Sequence, residues 1–268
     1  MRRWLDRVRG RARQPLRPLP DALWQTTLAR CPYLTELTPP QQSRLRGLTA
    51  LFLEDKEFHG AQGLLITDEM AVTIAAQACL PVLHFGPGAQ ALRWYDDFVG
   101  IVVHADEVVA QREFVDETGV VHAWEETLAG EAMPDGPVML SWRDVDAASS
   151  ESGYNVVIHE FVHKLDLRDG QADGCPPLPA GFMGQNTLRG AHDHWLSVMQ
   201  SAYQDFREAV IRAERFGAAP TWLDPYGAEN IAEFYAVASE AYFVNRSRFG
   251  VDFPALLGLF DAYYRNWA

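Results

Sequence analysis

Residues 154–166 read Tyr-Asn-Val-Val-Ile-His-Glu-Phe-Val-His-Lys-Leu-Asp, and three of them stand at a spacing that can do chemistry. His159 and His163 are four positions apart, and Glu160 follows the first directly. On a helix, positions four apart lie about 40° apart around the axis and one turn apart along it. Both imidazoles can therefore reach one metal ion at about 2.0–2.1 Å. Glu160 borders the same face, where it can take a proton from water rather than bind the ion. Tyr154, Val157, Ile158, Phe161 and Leu165 bury the rest of the segment and fix the pair on a rigid element. The bland alternative is a helix with two packed or solvated histidines and no metal.

Two histidines need a third ligand, because zinc hydrolases use three protein ligands and leave a fourth position for water. His163 is followed by Lys164, Leu165 and Asp166, and no histidine appears before His192, which excludes the pattern His-Glu-x-x-His-x-x-Gly-x-x-His. A glutamate from a later helix is the remaining source. In 228–243, Phe234, Val237, Ala238 and Ala241 form an apolar face, and Glu233 and Glu240 both border it. A carboxylate beside a buried stripe is costly unless paired or metal-bound. Either can be the third ligand while the other orients a histidine. Glu229 is explained by the helix dipole. Asp166 is either a second orienting carboxylate or a turn acid. Asp166, Asp169 and Asp173 do not have the spacing of a calcium loop. His192 and His194 diverge on a helix, and His59, His84, His104 and His122 have no partner at ligand spacing, so these six read as surface or structural residues.

The elements that must carry these residues follow from pattern. Helices are predicted over 21–30, 39–57, 68–80, 150–166, 190–214, 228–244 and 253–267. Thr38 and Thr67 cap the second and third, with Pro39 at a first helical position. Strands are predicted at 99–104, 119–124 and 137–142. The last is either an internal strand or an edge strand able to pair with extended peptide beside the site. Helices before and after a small mixed sheet make an α+β fold. The chain has 268 residues, 48 % hydrophobic and 22 % charged, enough to bury a large core without disulfides.

Charge divides the chain. Residues 1–17 hold Arg2, Arg3, Arg7, Arg9, Arg11, Arg13 and Arg17 against Asp6, while the whole chain carries a net charge of −13. We expect 1–20 to be a basic flexible tail and 21–268 a single domain. The acidic body repels phosphate backbones, which disfavours nucleic acid as a partner. Cys31, Cys79 and Cys175 are odd in number and widely spaced, which fits a reducing compartment and a cytoplasmic location. No apolar run approaches the length of a membrane span, and no export signal is expected.

The string Val-Ile-His-Glu-Phe-Val-His-Lys-Leu-Asp, followed later by Asp-Pro-Tyr-Gly-Ala-Glu-Asn-Ile-Ala-Glu-Phe-Tyr-Ala-Val-x-Ser-Glu, resembles the Mlc titration factor A family of bacterial zinc peptidases. Residues 74–83, Ile-Ala-Ala-Gln-Ala-Cys-Leu-Pro-Val-Leu, also look like that family, and the resemblance spans about 20–265. It implies a zincin-like fold similar in its core to the anthrax lethal factor protease. It also implies Zn2+ held by His159, His163 and Glu233, with Glu160 as the base. The resemblance points to Tyr226, seven residues before Glu233, as a hydrogen-bond donor to the transition-state oxyanion. Taken alone, a tyrosine in an Asp-Pro-Tyr-Gly turn simply packs its ring. One departure is Val162, where the family pattern leads to a smaller residue. The implied activity is aminopeptidase-type hydrolysis of a peptide substrate. The alternative is regulation without turnover, since some members bind and titrate the transcriptional repressor Mlc.

Overall fold

The computed structural model describes residues 18–115, 121–148 and 151–266. The first seventeen residues, most of the expected basic tail, lie outside them. Leu19, at the end of that tail by sequence, is buried, and its carbonyl accepts from Arg46.

The chain opens with α1 (Asp21–Arg30), α2 (Pro39–Asp55) and α3 (Asp68–Cys79). The start of α2 is held by Gln41, whose side-chain oxygen accepts from Thr38 N at 2.9 Å. Thr67 Oγ1 accepts from Met70 N at 3.2 Å and caps α3 as expected. Almost every residue of α3 is buried, which places it at the centre of the N-terminal layer.

The strands are β1 (Glu57–Gly60), β2 (Gly100–His104), β3 (Val108–Val115), β4 (Val121–Leu128), β5 (Gly130–Ala132) and β6 (Val138–Ser141). Four of them form one mixed sheet in the order β1-β2-β6-β5. β1, β2 and β6 are parallel, and β5 runs antiparallel on the edge. Ile101, Val103, Val138 and Leu140 fill one face of the sheet with fully buried side chains. β3 and β4 pair only with each other, as an antiparallel hairpin inserted between β2 and β5. The predicted strand 119–124 falls partly on this hairpin and partly outside the described residues. The edge reading of 137–142 does not hold: β6 is internal, flanked by β2 and β5, and the edge belongs to β5.

After the short helix α4 (Trp142–Asp146) comes α5 (Val156–Asp166), which carries His159, Glu160 and His163. It starts six residues later than the pattern predicts, because 151–153 form a turn and Asn155 Oδ1 accepts from Ile158 N at 2.9 Å to open the helix. α5 packs against α3, β5 and β6. Its Phe161 lies among Phe52, Tyr95 and Phe98 with ring centroids 5.7, 5.1 and 5.9 Å away. Burying one such ring contributes roughly 1.5–3 kcal/mol. This cluster keys the helix against α2 and the segment before β2, from the side opposite the histidines.

The C-terminal layer is α6 (Leu188–Phe216), α7 (Ile231–Val244), α8 (Arg246–Asp252) and α9 (Pro254–Tyr264). The helix expected over 253–267 is α9; α8 before it was not expected, and the two are separated where Pro254 takes the first helical position after Phe253. Among the described residues, no helix is long and apolar enough to cross a membrane.

Candidate metal centre

Two helices supply the centre. α5 presents His159 and His163 on one face, and α7 crosses it, bringing Glu233 from its first turn. Asn230 fixes that turn, its side-chain oxygen accepting from Ala232 N and Glu233 N at 3.0 Å each. Glu233 Oε2 lies 3.0 Å from His159 Nε2 and 3.2 Å from His163 Nε2, and the two Nε2 atoms are 3.1 Å apart. Three donors bound tetrahedrally at about 2.0–2.1 Å would stand about 3.3 Å apart. The observed triangle is close to that size. Among the described residues, these three form the group of ligand atoms able to hold a metal ion.

Glu240, two turns along α7, is elsewhere: its Oε1 is 2.7 Å from His159 Nδ1, on the far side of the ring. Its other oxygen accepts from Asn155 N. The carboxylate can accept from Nδ1–H, so that in the neutral ring the Nε2 lone pair faces the triangle. The two glutamates left open by the residue pattern thus face different nitrogens of the same ring, Glu233 Nε2 and Glu240 Nδ1. Asp166 orients neither histidine; its Oδ2 accepts from Gly174 N at 2.8 Å.

Charge in the centre is concentrated. Burial opposes protonation of His159, but hydrogen bonds to Glu233 and Glu240 outweigh it and hold the ring well above the usual histidine range. Burial likewise raises Glu233, and the two histidines more than reverse this, holding it far below the carboxylate range. His163 is lowered by burial despite Glu233. Glu160 is 5 % exposed, and burial pushes its carboxyl up to about 8, countered by His159 and reinforced by Glu233, Glu240 and Glu131.

The centre lies at the floor of an open cleft of about 1200 Å³, bordered by β5 on one side and the 224–233 segment on the other. Tyr226 stands on that second wall, in the turn Pro225–Ala228, where Asp224 Oδ1 accepts from its backbone N at 3.0 Å. Its ring centroid is 6.1 Å from that of His159, and it is 37 % exposed. The structure therefore brings together His159, His163, Glu233, Glu160 and Tyr226, the five residues singled out in the sequence. Sequence reasoning missed Asn155, although an asparagine before an apolar helical run is an N-cap signal. It also missed Gly130, which lies on Glu160 and belongs to a strand too short to show alternation.

With the geometry in view, the relatives can be placed. Residues 3–265 match the family described as glucose-regulated metallo-peptidase M90. The chain belongs to the M90 metallopeptidase family. A protein named Mlc titration factor A from Salmonella arizonae is 33 % identical over 247 residues, covering 92 % of this chain and 91 % of that protein. Its namesake from Klebsiella pneumoniae is 33 % identical over 244 residues, covering 91 % and 85 %. The resemblance drawn from the motif strings is therefore correct. The M90 match spans the helices that carry the donor triangle and the edge strand beside it.

Proposed function

We propose that this protein is a zinc-dependent peptidase, aminopeptidase-type, in which His159, His163 and Glu233 hold the metal. The observation that carries this reading is the convergence of two imidazole nitrogens and one carboxylate oxygen beside a buried glutamate at the floor of an open cleft. That borderline donor set suits zinc and leaves one position open. Zinc, when bound, polarises the scissile carbonyl and makes water a nucleophile at neutral pH.

The chain's own groups do the rest. Glu160 takes the proton of the attacking water and passes it to the leaving amine. Burial of its carboxyl raises its affinity for that proton. Tyr226, on the opposite wall, donates to the oxygen on which charge develops. Glu240 keeps His159 in the tautomer that offers Nε2. The three cysteines are free and buried, in keeping with a cytoplasmic location.

The test is metal analysis of the purified protein beside cleavage of a mixed peptide library. We expect about one zinc per chain, cleavage lost on chelation and restored by zinc. Absence of zinc, with no cleavage gained on adding it, overturns the reading. A second reading rests on the relatives' name: a protein that binds a transcriptional repressor of the Mlc kind and needs no turnover.

A further inference from the structure

β5 has three residues, and its first touches the active-site helix. A Cβ built on Gly130 would stand 2.5 Å from Glu160 Oε1, 2.7 Å from Cγ and 2.8 Å from Cδ. Carbon contacts are favourable only near 3.5–4.0 Å, so a methyl group does not fit there. The backbone does not call for glycine: Gly130 is absent from the glycines with positive φ and pairs with Leu140 in regular antiparallel register. Close approach is the reason left.

A second contact holds the same hairpin. Lys164, one turn after Glu160 on α5, is fully buried, and its Nζ donates to Met133 O at 2.6 Å, Gly136 O at 3.0 Å and Asp97 Oδ2 at 3.0 Å. All three N–H groups are used. Met133 and Gly136 bracket the turn from β5 to β6. The helix therefore grips the hairpin at two points one turn apart. Among the described residues, the Glu160 carboxylate has no hydrogen-bond partner, so packing sets its direction.

We infer that Gly130 is a positioning residue for Glu160: its bare Cα lets the edge strand lie on the glutamate and aim the carboxylate at the donor triangle. The contact is independent of the proposed function; its catalytic consequence rests on Glu160 being the base. Any side chain at position 130 must turn the carboxylate aside or lift the strand.

A double-mutant cycle decides this. Gly130→Ala, Glu160→Ala and the double variant are compared with wild type by thermal unfolding of metal-free protein. Zinc content, kcat and KM on a cleaved peptide are also measured for Gly130→Ala. We expect Gly130→Ala to lower Tm by about 3 °C or more when Glu160 is present and by less than about 1 °C in the Glu160→Ala background, because the double variant removes the clash. We expect its kcat to fall about tenfold or more, with KM within about twofold and zinc retained, since a base displaced by an ångström loses rate and not binding. Equal Tm losses in both backgrounds overturn the inference, as does coupling in Tm with kcat unchanged. If wild type cleaves no peptide, the peptidase reading fails and the Tm coupling alone decides whether Gly130 places Glu160.

Discussion

At the residue scale, each side chain of the centre has a substitution that isolates its part. Glu160→Gln keeps the size of the side chain and removes the base. Zinc should stay at full stoichiometry while hydrolysis falls by about 10²–10⁴-fold. A protein that acts only by binding a repressor should keep its partner affinity in this variant, so the same protein sample separates the two readings. Cleavage at the wild-type rate would remove Glu160 from the mechanism. Glu233 and Glu240 divide in a different way. Glu233 Oε2 belongs to the donor triangle, whereas Glu240 reaches only the far nitrogen of His159. Glu233→Ala should lose zinc on dialysis. Glu240→Ala should retain most of it, with an affinity weakened about 10–100-fold. The reverse pattern of retention would place the metal one face of the helix away. The grouping of His159, Glu160 and His163 is legible in the sequence because the three are local: helix geometry alone brings them together. Glu233 was only half legible. It and Glu240 lie seven residues apart on one side of α7, and nothing in their own helix says which will meet Nε2 and which Nδ1.

At the scale of elements, what holds the cleft open is the grip of α5 on its neighbours. Asn155 caps the helix, and its Nδ2 donates to Tyr33 OH at 2.9 Å and Gln77 Oε1 at 2.6 Å. The N-terminal segments thereby fix the start of the helix that carries His159 and His163. At the other end Lys164 ties down the β5–β6 turn. Replacing it by methionine leaves the Met133 and Gly136 carbonyls without their donor and Asp97 with Arg168 alone beside it, and losing a hydrogen bond to a charged group costs about 1.5–3 kcal/mol. Lys164→Met should therefore unfold at clearly lower urea while its folded fraction still binds zinc, because His159, His163 and Glu233 do not depend on the turn. Unchanged urea resistance would mean that the turn holds itself. Such short elements were not legible. β1 has four residues and β5 three, below the length at which alternation declares itself. The helix predicted over 150–166 runs through its own cap, although Ser-Glu-Ser-Gly at 150–153 carries no apolar period and Asn155 is itself a capping residue. The strand 137–142 was found, but only the pairing of distant segments made it internal.

At the scale of the whole molecule, Asp166 is the point where several layers meet. It ends α5, and its Oδ2 holds Gly174, whose carbonyl accepts from Trp195 Nε1 of α6 at 2.6 Å. Gly174 has φ +76 and lies against the first residue of α7, where a Cβ would stand 2.8 Å from Ile231 O. The carboxyl group is thus enclosed between α5, the 173–175 loop and the C-terminal aromatic layer, and Asp166 Oδ1 has no hydrogen-bond partner among the described residues. Burial pushes it up to about 8 from 3.8, opposed by the Gly174 amide and reinforced by Asp173 and Asp169. The unfolded chain releases this proton near the ordinary carboxylate value, whereas the folded one keeps it until about pH 8. Between those limits the folded state binds more protons, so this group's contribution to stability falls as pH rises, by on the order of 1 kcal/mol per pH unit. Asparagine matches the neutral carboxyl in shape, can still accept from Gly174 N, and does not titrate. Asp166→Asn should therefore gain on wild type steadily in urea midpoint between pH 5.5 and 7.5. Glu160, which is common to both proteins, cancels from the comparison. Curves that stay parallel across that range would show that Asp166 is ionised in the folded protein and that the surrounding backbone amides, not a proton, balance its charge.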